Sequence, residues 1–404
     1  MMNLPTDVAQ RIKQFNQGRR VDLLALKYAK LRKSGWGFFR GSGHLFYARA
    51  ALPPALAAAP LAGLCGDLHL ENFGAYRGEN GLVCFSVNDF DDGLLAPVTW
   101  DLARFVASLF VGVDYLRRPD AEAEMLAEDF LRAYAEAVAA GGPALPDAAV
   151  LAGPVGPIAR AFPDAAAAAA LADSADLLPS GRAFNLTLKH KRFLPATDAE
   201  RAEVAARVAD FARQGAGDGG LRVLDVARQV AGTSSLGLDR YAVLLEGEGG
   251  GRLLELKEAQ AACAAPYLTG RQTVWPSQAA RVAAGQRVFQ AVPPSRLGAV
   301  GGDGRSFVVR DFGRSSDRLS LDDPGLTERG LTATVRLLAR VTAGGHWRGS
   351  AAEGGAGQAA LQAFAGQPGW HAALIDFGRA RAAQAQGDYS EYCAAFDRGE
   401  LGLD

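Results

Sequence analysis

The chain has 404 residues, 49% of them apolar, which is long enough for two lobes or one large unit with an ample core. Its net charge of −1 argues against a broad surface for nucleic acid or membrane, and no apolar stretch is long enough to span a bilayer. The four cysteines lack metal-ligand spacing and the N-terminus lacks a signal-peptide core, so we expect a cytoplasmic protein without disulfides or zinc.

The N-terminal segment predicts helices followed by a glycine-dense stretch. Apolar residues recur at helical spacing over residues 6–33. The stretch at residues 34–44 places three aromatic side chains around Arg40, whose guanidinium is a fixed and permanently charged fork. Arg40 is therefore a candidate to stabilise charge on a transferred phosphate, and a structural ion pair with a carboxylate is the alternative.

Residues 61–109 contain the most informative pattern in the chain. An apolar run enters a polar loop, where Gly66 permits a tight turn and Asp67 and Asn72 follow. A turn and a short buried strand then lead to Asp89, and a hairpin of this length returns Asp89 close to the loop. A carboxylate accepts a proton from a hydroxyl, and a carboxylate with an amide oxygen holds Mg²⁺ on a phosphate. This set of groups suits phosphoryl transfer.

The second half of the chain contains a strand, a loop of small residues, a return strand and a strand that bears a lysine. Backbone N–H groups approach phosphates closely where side chains are small, and a lysine supplies a point charge. The loop is not a strict GxGxxG, and an ordinary pair of hairpins is the alternative. Together with the first motif, it predicts a phosphate cradle made by Gly232, Thr233, Ser234, Ser235, Gly237 and Lys257.

A family resemblance rests on three elements in order, Gly66 to Asn72, then Asn88-Asp89-Phe90, then Pro97 with Asp101-Leu102-Ala103. They resemble the catalytic core of aminoglycoside-phosphotransferase-like kinases. They are closer still to an uncharacterised bacterial family, domain of unknown function 2252, placed among the kinase-like folds. The resemblance covers most of the chain and implies that Asp67 is the catalytic base. It also implies that Asn72 and Asp89 are the metal ligands and that Asp101 anchors the catalytic loop.

The order of the motifs predicts an unusual arrangement of lobes. In the usual kinase layout the cradle and its lysine precede the catalytic loop, but the only candidate cradle here follows that loop. We therefore expect an α+β, bilobal protein-kinase-like fold of the aminoglycoside-phosphotransferase type with circularly permuted lobe order, and an unrelated second domain is the alternative. A helical lobe at residues 1–215 carries the catalytic loop and the metal-binding hairpin. A small β-rich nucleotide-binding lobe at residues 221–311 follows, and helices at residues 312–404 complete the larger lobe.

One departure from the kinase pattern concerns the partner of the cradle lysine. Kinases pair this lysine with a glutamate on the next helix, but residues 259–302 contain no acidic residue, and Ala284 stands where the family pattern leads us to expect the glutamate. Lys257 then contacts phosphate unassisted, finds a carboxylate elsewhere, or is held by Gln286. A nucleotide-binding pseudokinase is the corresponding alternative.

Two strings, at residues 310–313 and 375–378, contain the kinase metal-binding tripeptide Asp-Phe-Gly. Neither follows an Asp-x-x-x-x-Asn loop at hairpin distance, whereas Asp89 does. We interpret residues 307–312 as a strand that leads to a hinge between the lobes, and Asp376 as part of a helical tail. Both strings are attributed to chance.

The sequence thus predicts transfer of the γ-phosphoryl group from ATP, with Mg²⁺, to a hydroxyl of an acceptor that is a small molecule rather than a protein. It predicts no nucleic-acid or membrane partner, and it does not indicate the acceptor or the oligomeric state. Adenylyl transfer, with the nucleotide inverted in the same cleft, is a second possibility. A metal-dependent hydrolase is disfavoured because His69 has no second histidine at ligand spacing.

Overall fold

A computed structural model of the chain describes residues 7–142, 155, 175–177, 184–186, 192–215, 221–246, 251–268, 270, 272–302, 304–313, 317–323 and 325–402. They form a mixed α+β fold. We call the described residues among 7–142 and 317–402 the helical unit, and those among 192–313 the sheet unit. The alanine-rich run at residues 165–172, which the sequence left open as helix or linker, lies outside the described residues.

The helical unit begins with five short helices, α1 (Val8–Phe15), α2 (Val21–Leu31), α3 (Gly35–Gly41), α4 (Gly43–Ala48) and α5 (Pro54–Ala57). The helical spacing over residues 6–33 is confirmed by α1 and α2. The glycine-dense stretch is also helical: the Ser34 side chain accepts a hydrogen bond from the Gly37 amide at 3.0 Å and begins α3.

Two small two-stranded antiparallel sheets and three helices follow in the same unit. Strand β1 (Leu61–Gly63) pairs with β4 (Leu95–Pro97), and β2 (Phe73–Arg77) pairs with β3 (Val83–Val87), both antiparallel. The predicted buried strand is therefore confirmed as β3. The chain then forms α6 (Thr99–Val111), α7 (Val113–Leu116) and α8 (Asp120–Ala139).

The sheet unit is built on one antiparallel sheet. Two short strands, β5 (Ala175–Leu177) and β6 (Phe184–Leu186), pair with each other before it. The sheet has the order β11-β12-β10-β9-β8-β7. Its strands are β7 (Phe193–Pro195), β8 (Val223–Gln229), β9 (Arg240–Leu245), β10 (Arg252–Glu258), β11 (Leu297–Gly302) and β12 (Arg305–Asp311), and its helices are α9 (Asp198–Arg213) and α10 (Gln278–Phe289). The predicted strands around residues 241–257, the strand at residues 307–312 and the helix after Lys257 are confirmed.

Side chains on the central strands alternate between the two faces of this sheet. Leu254 and Leu256 of β10 pack with α9 in a buried apolar cluster. Glu255 and Lys257 therefore lie on the opposite face, toward the helical unit. Both β7 and α9 come before residues 215–221, where the sequence predicted the boundary between the helical lobe and the nucleotide-binding lobe. They nevertheless pack on the sheet that follows this boundary.

Three long helices close the helical unit, α11 (Glu328–Ala351), α12 (Gln358–Ala365) and α13 (Trp370–Asp397). Helix α11 packs on α8 and α13 packs on α6, so both ends of the chain contribute to one apolar core. Asp376 lies within α13, which confirms the predicted helical tail. No helix among the described residues is long and apolar enough to cross a membrane.

Helix α10 joins the sheet unit to this core at a point of close approach. A Cβ atom added to Gly345 of α11 would lie 2.2 Å from a ring carbon of Phe289, which is fully buried at the end of α10. The absence of a side chain at Gly345 is therefore what lets the two helices approach.

We expect Gly345→Ala to lower the free energy of unfolding by about 1–3 kcal/mol, because the methyl group overpacks a buried ring. Gly387→Ala is the matched control, since Gly387 lies in the interior of α13 with nothing within 4 Å of an added Cβ. That control should gain about 0.5–1 kcal/mol from the lower entropy of the unfolded chain. Urea unfolding followed by circular dichroism measures both, and equal stability of Gly345→Ala and the wild type would contradict the packing.

Candidate functional site

A cavity of about 230 Å³ lies where the loop between β1 and β2, the end of β3 and the loop between β8 and β9 meet. It contains most of the residues that the sequence predicted as functional, namely Arg40, Asp67, Asn72, Asp89, Gly232, Thr233, Ser234 and Ser235. Its other lining residues were not predicted, and they are His69, Glu71, Asn88, Asp91, Asp92 and Arg318. We call this space the acidic cavity, because five carboxylates line it.

The loop that carries Asp67 is fixed by a buried carboxylate on α6. The two carboxylate oxygens of Asp101 accept hydrogen bonds from the backbone amides of Cys65 and Gly66, both at 3.0 Å. Asp101 is fully buried and also contacts Nε2 of His346 at 3.2 Å. Gly66 has a φ of +81°, and an added Cβ would lie 1.8 Å from the Asp92 carbonyl oxygen. The loop therefore has one conformation, which requires glycine at position 66.

Asp67 projects from this loop against an arginine of α6. Nε of Arg104 donates to Oδ1 of Asp67 at 2.9 Å, and Nη2 donates to the Phe39 carbonyl at 2.7 Å. Burial raises the pKa of Asp67 above its ordinary value, although the Arg104 charge opposes that rise. Its Oδ2 receives no hydrogen bond from the described part of the chain. Asp67 therefore presents one carboxylate oxygen to the cavity while Arg104 fixes the other.

The Asn72 amide ties together the two segments that carry the acids. Its Nδ2 donates to the backbone carbonyl of Asp67 at 3.0 Å and to that of Asp89 at 3.4 Å. Both amide hydrogens are thus used, and Oδ1 is the atom of this buried side chain left for a ligand.

Asp89 meets the predicted cradle lysine across the cleft. Nζ of Lys257 lies 3.2 Å from Oδ1 of Asp89 and 2.5 Å from Oδ2 of Asp91. Burial alone would raise the pKa of Asp89, but the charges of Lys257, Arg310 and Arg318 outweigh burial and lower it well below its ordinary value. The sequence left three possibilities for Lys257. The structure shows the second of them, in which the lysine pairs with carboxylates elsewhere in the chain.

Gln286 does not hold the lysine. Its Nε2 donates to Oε1 of Gln290 at 3.2 Å, and Nε2 of Gln290 donates to the Val87 carbonyl at 2.8 Å. The helix that lacks the expected glutamate is instead tied by amides to strand β3.

The loop of small residues is held from behind by two cations of the N-terminal helices. The Ser234 carbonyl accepts hydrogen bonds from Nη1 of Arg19 at 2.6 Å and from Nζ of Lys27 at 2.7 Å. Residues 232–235 line the cavity, whereas Gly237 lies outside it, where an added Cβ would be 2.8 Å from Cβ of Arg19. Of the predicted cradle, residues 232–235 therefore line the cavity, Lys257 lies behind the lining residues Asp89 and Asp91, and Gly237 is outside.

Arg40 lines the cavity in an ion pair with a carboxylate that sequence reasoning missed. Its Nη1 contacts Oε2 of Glu71, which also accepts from Nε1 of Trp36 at 3.3 Å. The second oxygen of Glu71 accepts from the Tyr115 hydroxyl. Arg40 therefore has both features considered from the sequence, a place in the cavity and a structural carboxylate partner.

Two further lining residues have shifted pKa values. Burial lowers the pKa of His69 well below its ordinary value, so the imidazole is neutral. Burial and the nearby Asp67 charge raise the pKa of Asp92 to about 6, and its Oδ1 accepts from the Cys263 amide at 2.6 Å. No group of three His, Cys, Asp or Glu residues with the geometry of a metal site occurs among the described residues.

A second, larger cavity of about 440 Å³ adjoins the first, at the end of strand β12. We call it the arginine cavity, because its lining includes Arg77, Arg240, Arg252, Arg296, Arg310 and Arg318. Glu255 is buried on its floor, with Oε2 2.9 Å from Nε of Arg240 and Oε1 2.9 Å from Nε of Arg310. The Asp-Phe-Gly string at residues 311–313 borders this cavity, where Asp311 pairs with Nη1 of Arg296 at 3.1 Å.

Residues 19–395 match the family described as "Uncharacterized protein conserved in bacteria (DUF2252)". The chain belongs to this family. No curated protein and no solved structure matches the chain. The match includes every residue of the acidic cavity, so the site is built within the part of the chain that the DUF2252 family shares.

The raised pKa of Asp92 generates a pH-dependent prediction. The folded protein binds the Asp92 proton more tightly than the unfolded chain, so the charged carboxylate lowers stability in full above about pH 6. That cost shrinks as the pH falls from about 6 toward about 4, the ordinary pKa of an aspartate. We expect Asp92→Asn to be more stable than the wild type at about pH 7.5, by no more than about 3 kcal/mol, because the side chain keeps some solvent contact.

Urea unfolding of both proteins at about pH 7.5 and about pH 5 measures this difference. Asp376→Asn is the control, because Asp376 is exposed on α13 and its substitution should change stability equally at both values. A difference between Asp92→Asn and the wild type that does not shrink at the lower pH would contradict the assignment.

Proposed function

We propose that this protein is an ATP- and Mg²⁺-dependent phosphotransferase that transfers the γ-phosphoryl group to a hydroxyl of an acceptor, a small molecule rather than a protein. The observation that carries the proposal is the composition of the acidic cavity. Asp67, Asn72 and Asp89 enter it from the helical unit, and Lys257 and the loop at residues 232–235 approach from the sheet unit. Phosphoryl transfer requires positioning and charge stabilisation, which these groups supply.

The arrangement of strands supports a bilobal, protein-kinase-like fold of the aminoglycoside-phosphotransferase type with permuted lobe order. The lysine lies on β10, flanked by β9 and β12, the loop of small residues joins β8 to β9, and α10 follows β10. Protein kinases place their phosphate-covering loop, lysine strand and next helix in this order. In the proposed fold, residues 192–215, which supply β7 and α9, join residues 221–311 in the nucleotide-binding lobe, and the helical unit forms the larger lobe.

The donor set of the acidic cavity fits Mg²⁺. Asp89 stays ionised because of its lowered pKa, and Asn72 directs its amide hydrogens to backbone carbonyls and leaves Oδ1 available. Oxygen ligands of this kind suit a hard cation that keeps several waters. We therefore assign Asn72 and Asp89 as the residues that would hold the ion, which when bound neutralises charge on the phosphates.

Asp67 is the proposed proton acceptor. Arg104 fixes one of its oxygens, so the other points to one position in the cavity, and its raised pKa makes it a stronger base than an exposed aspartate. Lys257 and the amides of residues 232–235 are proposed to hold phosphates. Arg40 is proposed to stabilise charge near them, with Glu71 setting the direction of its guanidinium.

Adenylyl transfer is a second candidate, favoured by the arginine cavity. In the phosphoryl-transfer orientation the nucleoside occupies this cavity, although its floor is a buried arrangement of Arg240, Glu255 and Arg310 rather than an apolar slot. Arginines suit phosphates through bidentate contacts. An inverted nucleotide would place its terminal phosphates there and its α-phosphate beside Asp89.

The proposal is tested first by thermal unfolding with and without Mg·ATP. Ligand at about 100 times its dissociation constant stabilises a protein by about 2.7 kcal/mol, which is a shift of several degrees. We expect the wild type to shift and Asp89→Ala to lose the magnesium-dependent part. Asp376→Ala is the matched control, because it removes an aspartate that also precedes a phenylalanine but lies on the exposed face of α13, outside the cavity. Absence of any nucleotide-dependent shift in the wild type would refute the proposed function.

The chemistry is tested by incubating the protein with Mg·ATP and a panel of hydroxyl compounds, followed by intact-mass analysis of the products. A gain of phosphate supports phosphoryl transfer, and a gain of AMP supports the second candidate. Asp67→Asn should keep the thermal shift and slow transfer by about 10²–10⁴-fold, because it removes the proton acceptor and leaves the phosphate contacts. Binding without any transfer would favour the pseudokinase alternative.

A further inference from the structure

The acidic cavity and the arginine cavity share part of their lining, and we call this shared region the passage. Among the described lining residues, they share Asn88 and Arg318. The Asn88 backbone amide donates to the Asn72 carbonyl at 3.3 Å, so the passage begins next to the proposed metal ligands. A ligand that occupies both cavities therefore lies beside these two residues.

The backbone holds Arg318 in this passage. Arg318 pairs with Gly74 in an isolated antiparallel bridge, and the Leu319 amide donates to the Phe73 carbonyl at 2.8 Å. A Cβ atom at Gly74 would lie 3.3 Å from Cα of Arg318 and 2.6 Å from the Asp317 carbonyl oxygen. Close contact with strand β2 therefore determines where the Arg318 side chain begins.

Arg318 differs from the neighbouring cations in having no carboxylate partner among the described residues. Arg240 and Arg310 share Glu255, and Lys257 lies between Asp89 and Asp91. The Arg318 side chain is exposed to solvent. Partial desolvation and the charges of Arg240 and Arg310 lower its pKa, whereas Asp89 and Glu255 act in the opposite direction. A guanidinium nevertheless stays protonated in proteins. An anionic ligand in the passage would therefore give the Arg318 guanidinium the partner of opposite charge that the described residues do not supply.

We propose that Arg318 binds the phosphate chain of the nucleotide where the chain passes between the two cavities. This inference rests on the proposed function and holds for both orientations of the nucleotide, because the triphosphate crosses the passage in either one. The planar fork of a guanidinium matches two phosphate oxygens, which makes the ligand class a nucleoside diphosphate or triphosphate.

The test compares the affinities of ATP, ADP and adenosine for the wild type and Arg318→Gln by calorimetry with Mg²⁺ present. We expect Arg318→Gln to bind ATP and ADP at least about tenfold more weakly, as for loss of a hydrogen bond to a charged group, and to bind adenosine within about twofold of the wild type. Arg318→Lys keeps the charge without the fork and should lie between the two. Arg222→Gln is the control for net charge, because Arg222 forms an exposed pair with Glu246.

The outcomes separate this inference from the proposed function. A wild type that binds ATP, with an Arg318→Gln variant that binds it equally well, would overturn the role of Arg318 and leave the phosphotransferase proposal intact. An equal loss for ATP and adenosine would also overturn it, since the residue would then support the cavity rather than the phosphates. A wild type that binds no nucleotide would overturn both proposals. Thermal unfolding without ligand establishes that each variant folds, and Arg318→Lys decides the question if Arg318→Gln does not.

Discussion

The geometry of the acidic cavity depends on the buried carboxylate of Asp101. A fully buried charge is tolerated only when hydrogen bonds surround it, and Asp101 finds them in two loop amides and His346. His346 in turn contacts the Tyr134 hydroxyl at 2.9 Å, so helices α6, α8 and α11 meet at this one group. The conformation of the loop, and with it the position of Asp67, is thereby tied to the packing of the helical core.

Charge is divided unevenly between the two units that face the cleft. The helical unit contributes the carboxylates of Asp67, Asp89 and Asp91 together with Arg318. The cleft face of the sheet contributes Lys257 and the group of Arg240, Glu255 and Arg310, in which two arginines share one glutamate. Lys257 is the direct link, because it contacts two of the carboxylates. The cleft therefore has an acidic side suited to a cation and a basic side suited to an anion, which is the division that a phosphate ester with its metal ion requires.

The sequence alone was sufficient for the parts of the site that are local in the chain. Asp67, Asn72 and Asp89 belong to one loop and one hairpin, so turn residues and strand length bring them together. Their partners Arg104 and Glu71 were missed, since no pattern shows which arginine a buried carboxylate will meet.

Helices α3 and α4 were also missed, because glycine disfavours helices and tertiary packing overrode that preference. At Gly41, for example, an added Cβ would lie 2.3 Å from a methyl carbon of Leu31.

The sequence separation of the contacts around the site has a consequence for how the protein folds. The hydrogen bond from Lys27 to the Ser234 carbonyl closes 207 residues of chain, and that from His346 to Asp101 closes 245. During synthesis on the ribosome, the contact between Asp101 and His346 therefore forms only after α11 has been made. The hydrogen bonds from Arg19 and Lys27 likewise form only after the loop at residues 232–235 has been made. Because loop-closure entropy rises only with the logarithm of loop length, the long separation of these contacts costs little free energy in the folded state. It does lower the rate of folding, which falls as contacting residues lie farther apart in sequence. The cleft is therefore complete only when contacts across more than 200 residues of chain have formed.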